Sequence, residues 1–329
     1  MSCCATKPLA VALLTLLASH APSLAQNAAA NWPDRPVRLI VPFPAGSATD
    51  VVSRLMAQKL NARLGQQFVV ENRAGASGSI GVDIVAKAAP DGYTMGLITA
   101  STHALAPALG AKLPYDTGKD FKPVSMIFDA PYALVLYPGI PVQSIADLVA
   151  LAKTKPGVLN YGSAGLASLA HLAGALFATQ TGISLTHVPY RSSAQSSIDM
   201  ITGRLDMQFA TLAPTLANIL DGKLRALATT GTKRVSALPN VPTMIEAGVP
   251  DYDVSLWAAY AMPAGTPDEI VAKLNAEMRA ILNDAETIEA LQKQGFEPLP
   301  GPPDLVAKRI QNETEKWRSL VAKTGIKAE

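Results

Sequence analysis

Five stretches of this sequence set small and hydroxyl-bearing residues in a tight loop between an apolar run and a helical one: residues 42–49, 74–79, 99–103, 162–168 and 190–193. A loop that leads from a strand into a helix presents the unpaired N–H groups of the first helical turn, with their partial positive charge. Small side chains let a carboxylate or phosphate come close to them. The chemistry that suits such loops is reversible anion binding. Bond-making chemistry finds no foothold. Gly75, Gly78 and Gly81 do not have the dinucleotide-binding spacing, no G-K-[ST] phosphate loop is present, and Ser163 lacks the pair of glycines of a nucleophile elbow. His103, His171 and His187 show no compact metal-ligand spacing, so no enzyme activity, metal or cofactor is expected.

The charged residues near these loops read mainly as structural. Asp50 stands three residues after Ser47 and is placed to cap a helix, and Asp206 sits in a turn before a strand. Arg73 follows Glu71 and reads as half of an ion pair. Arg191 differs, because a guanidinium beside Ser192 and Ser193 at a strand end can pair with a carboxylate.

Positioning these loops requires strands that end where helices begin, and the hydrophobic pattern supplies them. Residues 37–41 read as a strand, followed by a helix with Val52, Met56, Leu60 and Leu64 on one face. Strands at 68–70 and 94–99 flank a second helix, with Ile80, Ile84 and Ala88 expected on its inner face. The pattern restarts with a strand at 133–137, a helix capped by Ser144 with Asp147, strands at 159–161 and 184–188, and helices at 168–180 and 194–202. Further strands are predicted at 207–210, 224–229 and 255–261. Thr266, Pro267 and Glu269 form a predicted capping box, and two more helices are expected at 286–294 and 304–323. Strands joined by helical crossovers build parallel sheets, and two such sets predict two α/β lobes, with crossings expected within 121–128 and 247–255.

The composition fits this reading. The chain has 329 residues, 49% hydrophobic and 16% charged, with a net charge of +2 and no basic run, which gives no support to nucleic-acid binding. Lys7 and the apolar run 9–18 predict a signal peptide cleaved after Ala25, the run being too short to span a membrane. Both cysteines, Cys3 and Cys4, would leave with it, and 27 cations would remain against 26 anions. Export without cysteine removes disulfides and thiolate chemistry from consideration.

The segments VPFPAG through Asp50, VVENRAGASGSIG, AKAAPDGYT, NYGSAGLASLAHLAGALF, VPYRSSAQ, GRLDMQF, LPNVPTMIEAG and PAGTP follow one another along nearly the whole chain. Together they resemble the Bug-type extracytoplasmic solute receptors of tripartite tricarboxylate transporters. The resemblance implies a two-lobed α/β periplasmic binding protein of the type II arrangement, each lobe a mostly parallel sheet flanked by helices. The lobes would be 26–127 with 252–329, and 128–251. It also implies a monomeric, periplasmic receptor for a small organic carboxylate that works with a large and a small membrane subunit.

By the same resemblance the ligand loops are Phe43, Gly46, Ser47 and Thr49 in the first lobe and Ser163, Ala164, Gly165, Leu166 and Ser168 in the second. Ser77, Gly78, Ser101, Thr102, Arg191, Ser192 and Asp206 would face the cleft from other strand ends. Leu166 stands where the family usually has a polar residue, which points to a carboxylate with an apolar or aromatic portion. A receptor that signals to a sensor kinase and an exported hydrolase are the alternative functions.

Overall fold

The computed structural model describes residues 31–190 and 192–326; the expected signal peptide and Arg191 lie outside the described residues. The first half of the chain alternates β1 (Val37–Val41), α1 (Ala48–Leu64), β2 (Phe68–Asn72), a short turn at Ala76–Gly78, α2 (Ser79–Ala86) and β3 (Thr94–Thr99). A π-helical turn, Ser101–Leu105, runs into the one-turn α3 (Ala106–Ala108). β1 pairs in parallel with β2 and with β3, as strands joined by helical crossovers do. Helix α1 keeps the expected face, with Val52, Met56 and Leu60 fully buried; burying side chains of this kind is worth about 1.5 to 3 kcal/mol each.

Helix α2 does not keep its expected face. Gly81, Val82 and Val85 are buried while Ile80 is half exposed. The cause is the entry turn, where Gly75, Ala76, Ser77 and Gly78 all have positive φ and set the helix at a different rotation. Gly81 is then pressed against the first loop so closely that a Cβ would lie 2.7 Å from the Arg73 carbonyl and 2.8 Å from Pro42 Cα.

The two lobes share one long strand. β4 (Phe121–Leu136) pairs antiparallel with β9 (Ser255–Pro263) as far as Pro131, and from Tyr132 onward it pairs with β7 (Met207–Thr211) and β8 (Arg225–Thr229). The connection 121–128, expected to hold a crossing, is therefore strand, and the change of partners comes at Pro131 and Tyr132. Lys122, Pro123 and Ser125 break its apolar pattern at register shifts that bend it without ending it. Around β4 the remaining order is β2-β1-β3-β9-β4 on one side and β4-β7-β5-β6 on the other. β5 (Asn160–Ser163) and β6 (Thr186–Pro189) are parallel to each other, and β5 is parallel to β7.

Helices α4 (Ile145–Thr154), α5 (Leu169–Thr181), α6 (Ser193–Ile201) and α7 (Leu212–Leu220) belong to the second set. After β9 come α8 (Asp268–Leu282), α9 (Ala285–Gln292), the two-residue β10 (Glu297–Pro298) and α10 (Pro303–Thr324). Ser144 caps α4 as expected, its hydroxyl accepting the Asp147 N–H at 3.1 Å. The capping box at 266–269 does not form: the Thr266 hydroxyl donates back to the Pro263 carbonyl, and Pro267 occupies the cap position. No described helix is long and apolar enough to cross a membrane.

Candidate functional site

Strand pairing fixes where the loops point. Thr99, the last residue of β3, lies opposite Ala258, and β9 begins at Ser255 opposite Pro131, so β3 and its parallel neighbour β1 run toward the crossover. In the other lobe Thr211, the last residue of β7, lies opposite Tyr132, so β7 and the parallel β5 run toward the crossover from the opposite direction. The carboxyl ends of both sets therefore converge on one place, and in open α/β sheets that is where ligands bind.

In the first lobe the loop 43–47 is shaped from within by Asp50. Its carboxylate, 2% exposed, accepts hydrogen bonds from the Gly46 N–H at 2.8 Å, Asn72 Nδ2 at 2.9 Å and Arg54 Nε at 3.0 Å. Asn72 Nδ2 also reaches the Phe43 carbonyl at 3.1 Å. Burial alone would raise the Asp50 carboxyl, but the bonds from Arg54, Gly46 and Asn72 together outweigh it and hold the group below its ordinary value. Ser47 caps α1, accepting the Asp50 N–H, and its hydroxyl lies 3.2 Å from that of Thr49. The N–H groups of Ala48 and Thr49 have no acceptor within the helix.

Two further loops meet this one. A Cβ on Gly78 would stand 2.9 Å from Thr102 Cγ2 and 3.5 Å from both the Phe43 ring and Pro42, and φ is +96° there, so only glycine joins these segments without strain. Ser77 is exposed and Ser101 half-buried beside this junction. The Thr102 hydroxyl is occupied internally: it accepts the Thr99 N–H at 3.1 Å and donates to the Thr99 carbonyl at 3.2 Å, and the imidazole Nδ1 of His103 lies 3.0 Å away. His103 is fully buried between Tyr115 and Phe121, and burial pushes it down to about 3, so it stays neutral.

The second-lobe loop is clamped on one peptide. Ser163 and Ser168 both donate to the Gly165 carbonyl, at 2.9 and 2.8 Å, and the Gly165 N–H returns to Ser163 Oγ at 3.1 Å. Ser168 caps α5, accepting the His171 N–H at 3.3 Å. These hydroxyls and the Gly165 N–H are engaged within the loop, the first turn of α5 presents N–H groups with no acceptor in the helix, and the Leu166 side chain is 49% exposed.

Ser192 is exposed and caps α6, accepting the Gln195 N–H at 3.4 Å. Asp206 lies elsewhere: it precedes β7 and exchanges hydrogen bonds with Asn160 at 2.8 and 3.0 Å, at the amino end of β5 and away from the Ser163 loop. The turn position of Asp206 is read correctly from the sequence, but the end of the sheet it occupies is not, because that depends on strand direction. Arg73 pairs with Glu71 at 3.0 Å, as expected.

The sequence reading missed the supports under the loops, namely Asn72, Arg54, His171 and His187. The spacing of His171 three residues after Ser168, at the start of a helix, was the available signal. Cavities of about 580 and 540 Å³ lie along α10, lined in part by Pro123 and Ala307, and include none of the loop residues. Among the described residues no three His, Cys, Asp or Glu side chains gather as for a metal ion.

Comparison with known proteins agrees with this geometry. Residues 52–326 match the family described as the tripartite tricarboxylate transporter family receptor. The protein BugT of Bordetella pertussis is 37% identical over 319 residues, covering 96% of this chain and 98% of its own. Among solved structures, Rpa4515 of R. palustris with adipate is 38% identical with a TM-score of 0.75, covering 90% of this chain and 99% of that one. MatC of Rhodopseudomonas palustris with bound malate is 31% identical with a TM-score of 0.69, covering 88% and 100%. The chain belongs to the Bug-type receptors of the tripartite tricarboxylate transporter family.

Proposed function

We propose that this chain is a periplasmic receptor that captures a small organic carboxylate between its lobes and delivers it to the large and small membrane subunits of a tripartite transporter. The convergence of both sets of strand ends on the β4–β9 crossover carries this reading. The adipate and malate bound by two relatives support the ligand class. In the open form the carboxylate meets the N–H groups of one loop, and hinge closure brings the second loop onto it. Ligand favours closure only through contacts that improve on closing, which makes the closed shape a report of occupancy. The receptor acts as a monomer, exported by the segment 1–25.

The lobes on this reading are 26–127 with 252–329, and 128–251. The exchange of partners between Pro131 and Tyr132, and the return at Val254 and Ser255, support placing the hinge about three residues further along each crossing. The ligand residues are Phe43, Gly46, Ser47, Thr49, Ser77, Gly78 and Ser101 from one lobe, with Ala164, Gly165, Leu166, Ser168, Arg191 and Ser192 from the other.

A thermal-shift screen tests the receptor reading. At ~100-fold excess over Kd a specific carboxylate adds roughly 2.7 kcal/mol and raises the melting temperature by roughly 5 to 10 °C. No shift across di- and tricarboxylates, acidic amino acids and aromatic acids would remove it.

Leu166 sets the preference within the class. A hydroxyl or carboxylate buried against its side chain without a partner loses about 1 to 3 kcal/mol, so acids that can lay a methylene chain or aromatic ring there, such as adipate, are expected to bind ahead of citrate. Leu166→Asn is expected to move the ranking toward hydroxylated and multiply charged acids. An unchanged ranking would show that Leu166 does not meet the ligand.

A further inference from the structure

Beneath the second-lobe loop lie two imidazoles that anion binding itself does not use. His171, in the first turn of α5, and His187, in β6, stack with ring centroids 3.8 Å apart and planes within 7°. Tyr161 of β5 closes another side, with its ring centroid 5.0 Å from that of His187 and 6.4 Å from that of His171. Both imidazoles hold the loop. The Ala167 N–H donates to His171 Nδ1 at 3.0 Å, and His187 Nε2 lies 2.7 Å from Ser163 Oγ.

The two bonds respond differently to a proton. The Ser163 hydroxyl already donates to the Gly165 carbonyl, so it accepts from the Nε2–H of His187, and that bond survives protonation of the ring. A backbone N–H only donates, so the bond from Ala167 requires His171 Nδ1 to be bare. Ala167 also sits at φ +56°, a left-handed conformation that is unfavourable for a non-glycine residue and needs an outside tie. We propose that His171 is a positioning residue whose unprotonated Nδ1 holds the 164–167 loop in its ligand-binding shape, so that protonation of His171 frees the loop and weakens carboxylate binding.

The surroundings favour the neutral ring. Among the described residues the titratable rings packed together here are Tyr161 from β5 and the two imidazoles themselves, from α5 and β6, and the Tyr161 hydroxyl donates to the His171 carbonyl at 3.2 Å. Among the described residues no acidic or basic side chain forms an ion pair with either ring. Burial lowers His171, and burial with the neighbouring His171 ring lowers His187 to about 4. Release is therefore an acid event, below the ordinary imidazole range.

The effect on ligand rests on the receptor reading, whereas the state of the loop does not, and two measurements keep them apart. In the unliganded protein, nitrogen NMR of the imidazoles is expected to show the Nε2–H tautomer of His171 at neutral pH. The Ala167 amide is expected to shift with the same midpoint as the His171 ring. The second measurement is calorimetry with adipate from pH 8 to 4. His171→Asn places an amide oxygen near the Nδ1 position without a titrating group. It is expected to bind adipate within about threefold of wild type at pH 8 and to lose less affinity than wild type toward pH 4. His171→Leu removes the acceptor and is expected to weaken binding at least tenfold at every pH. An Nδ1–H tautomer, an Ala167 amide indifferent to the His171 titration, or the same acid loss in wild type and His171→Asn would each overturn the proposal. If adipate fails to bind wild type at any pH while the amide titrates as described, the ligand assignment falls and the loop support stands.

Discussion

Replacing Arg309 by Met is expected to lower the melting temperature by roughly 6 to 15 °C, the counterpart of about 3 to 5 kcal/mol for a buried charge cluster that loses its central cation. Arg309 reaches from α10 to both strands at the crossover. Its Nη1 donates to Asp253 at 2.9 Å and its Nη2 to Ser255 Oγ at 2.8 Å, with Asp129 3.6 Å away. Its Nε lies 2.8 Å from Glu313, an ion pair by distance whose angle falls short of a hydrogen bond. Without Arg309, three carboxylates would face Lys316 alone.

The pH dependence has a definite sign. Burial pushes Asp129 up to about 6, against the pull of Arg309 and Ser255. A carboxyl raised in the folded state above its unfolded value favours the fold when protonated, and that contribution is lost as pH rises from about 4 through 6. The deficit of Arg309→Met is therefore expected to be largest near pH 8 and to shrink toward pH 5. Asp129→Asn in the same chain is expected to recover part of it. A melting temperature within 2 °C of wild type, or a deficit independent of pH, would show that the cluster is solvated and not tying the crossover.

The loops and the two β-α sets were legible because each is a local matter: small residues between an apolar strand and an amphipathic helix, with Ser47, Ser144, Ser168 and Ser192 each standing at a helix start. The features that escaped are long-range. Only the end of β4, 133–137, reads as a strand, because Lys122, Pro123, Ser125 and Asp129 interrupt the pattern before it, and pairing with β9 shows that the strand is continuous. Helix α2 turned a different face inward because four successive positive-φ residues rotate its start, a torsion that periodicity does not register. Thr102, Ser163 and Ser168 look like ligand donors by type, and what type does not show is that their hydroxyls donate within the loops they belong to. Asp206 shows the same limit, since a residue at a strand end faces the cleft only at the carboxyl end.

Changing Asp50 to Asn is expected to weaken binding of whichever carboxylate gives the largest shift in the screen by roughly 30- to 150-fold, about 2 to 3 kcal/mol. The side chain keeps its size and one acceptor. However, the Oδ2 position, which receives both the Gly46 N–H and Arg54 Nε, becomes a donor or must turn away from one of them. Bonds to a charged acceptor are worth about 1.5 to 3 kcal/mol each, and the Arg54 side chain, more than half exposed, can turn to water and soften the loss. What does not recover is the direction of the Gly46 peptide, and with it the aim of the 43–47 loop at the ligand. The same logic applies to acid. Because Asp50 is held below its ordinary value when folded, its support is present at neutral pH and is lost as pH falls through that lowered value. Global stability is expected to fall far less than affinity, since the partners of Asp50 lie at the surface end of α1. Calorimetry alongside a melting curve separates the two. An affinity within threefold of wild type, with the fold intact, would show that Asp50 does no more than cap its helix.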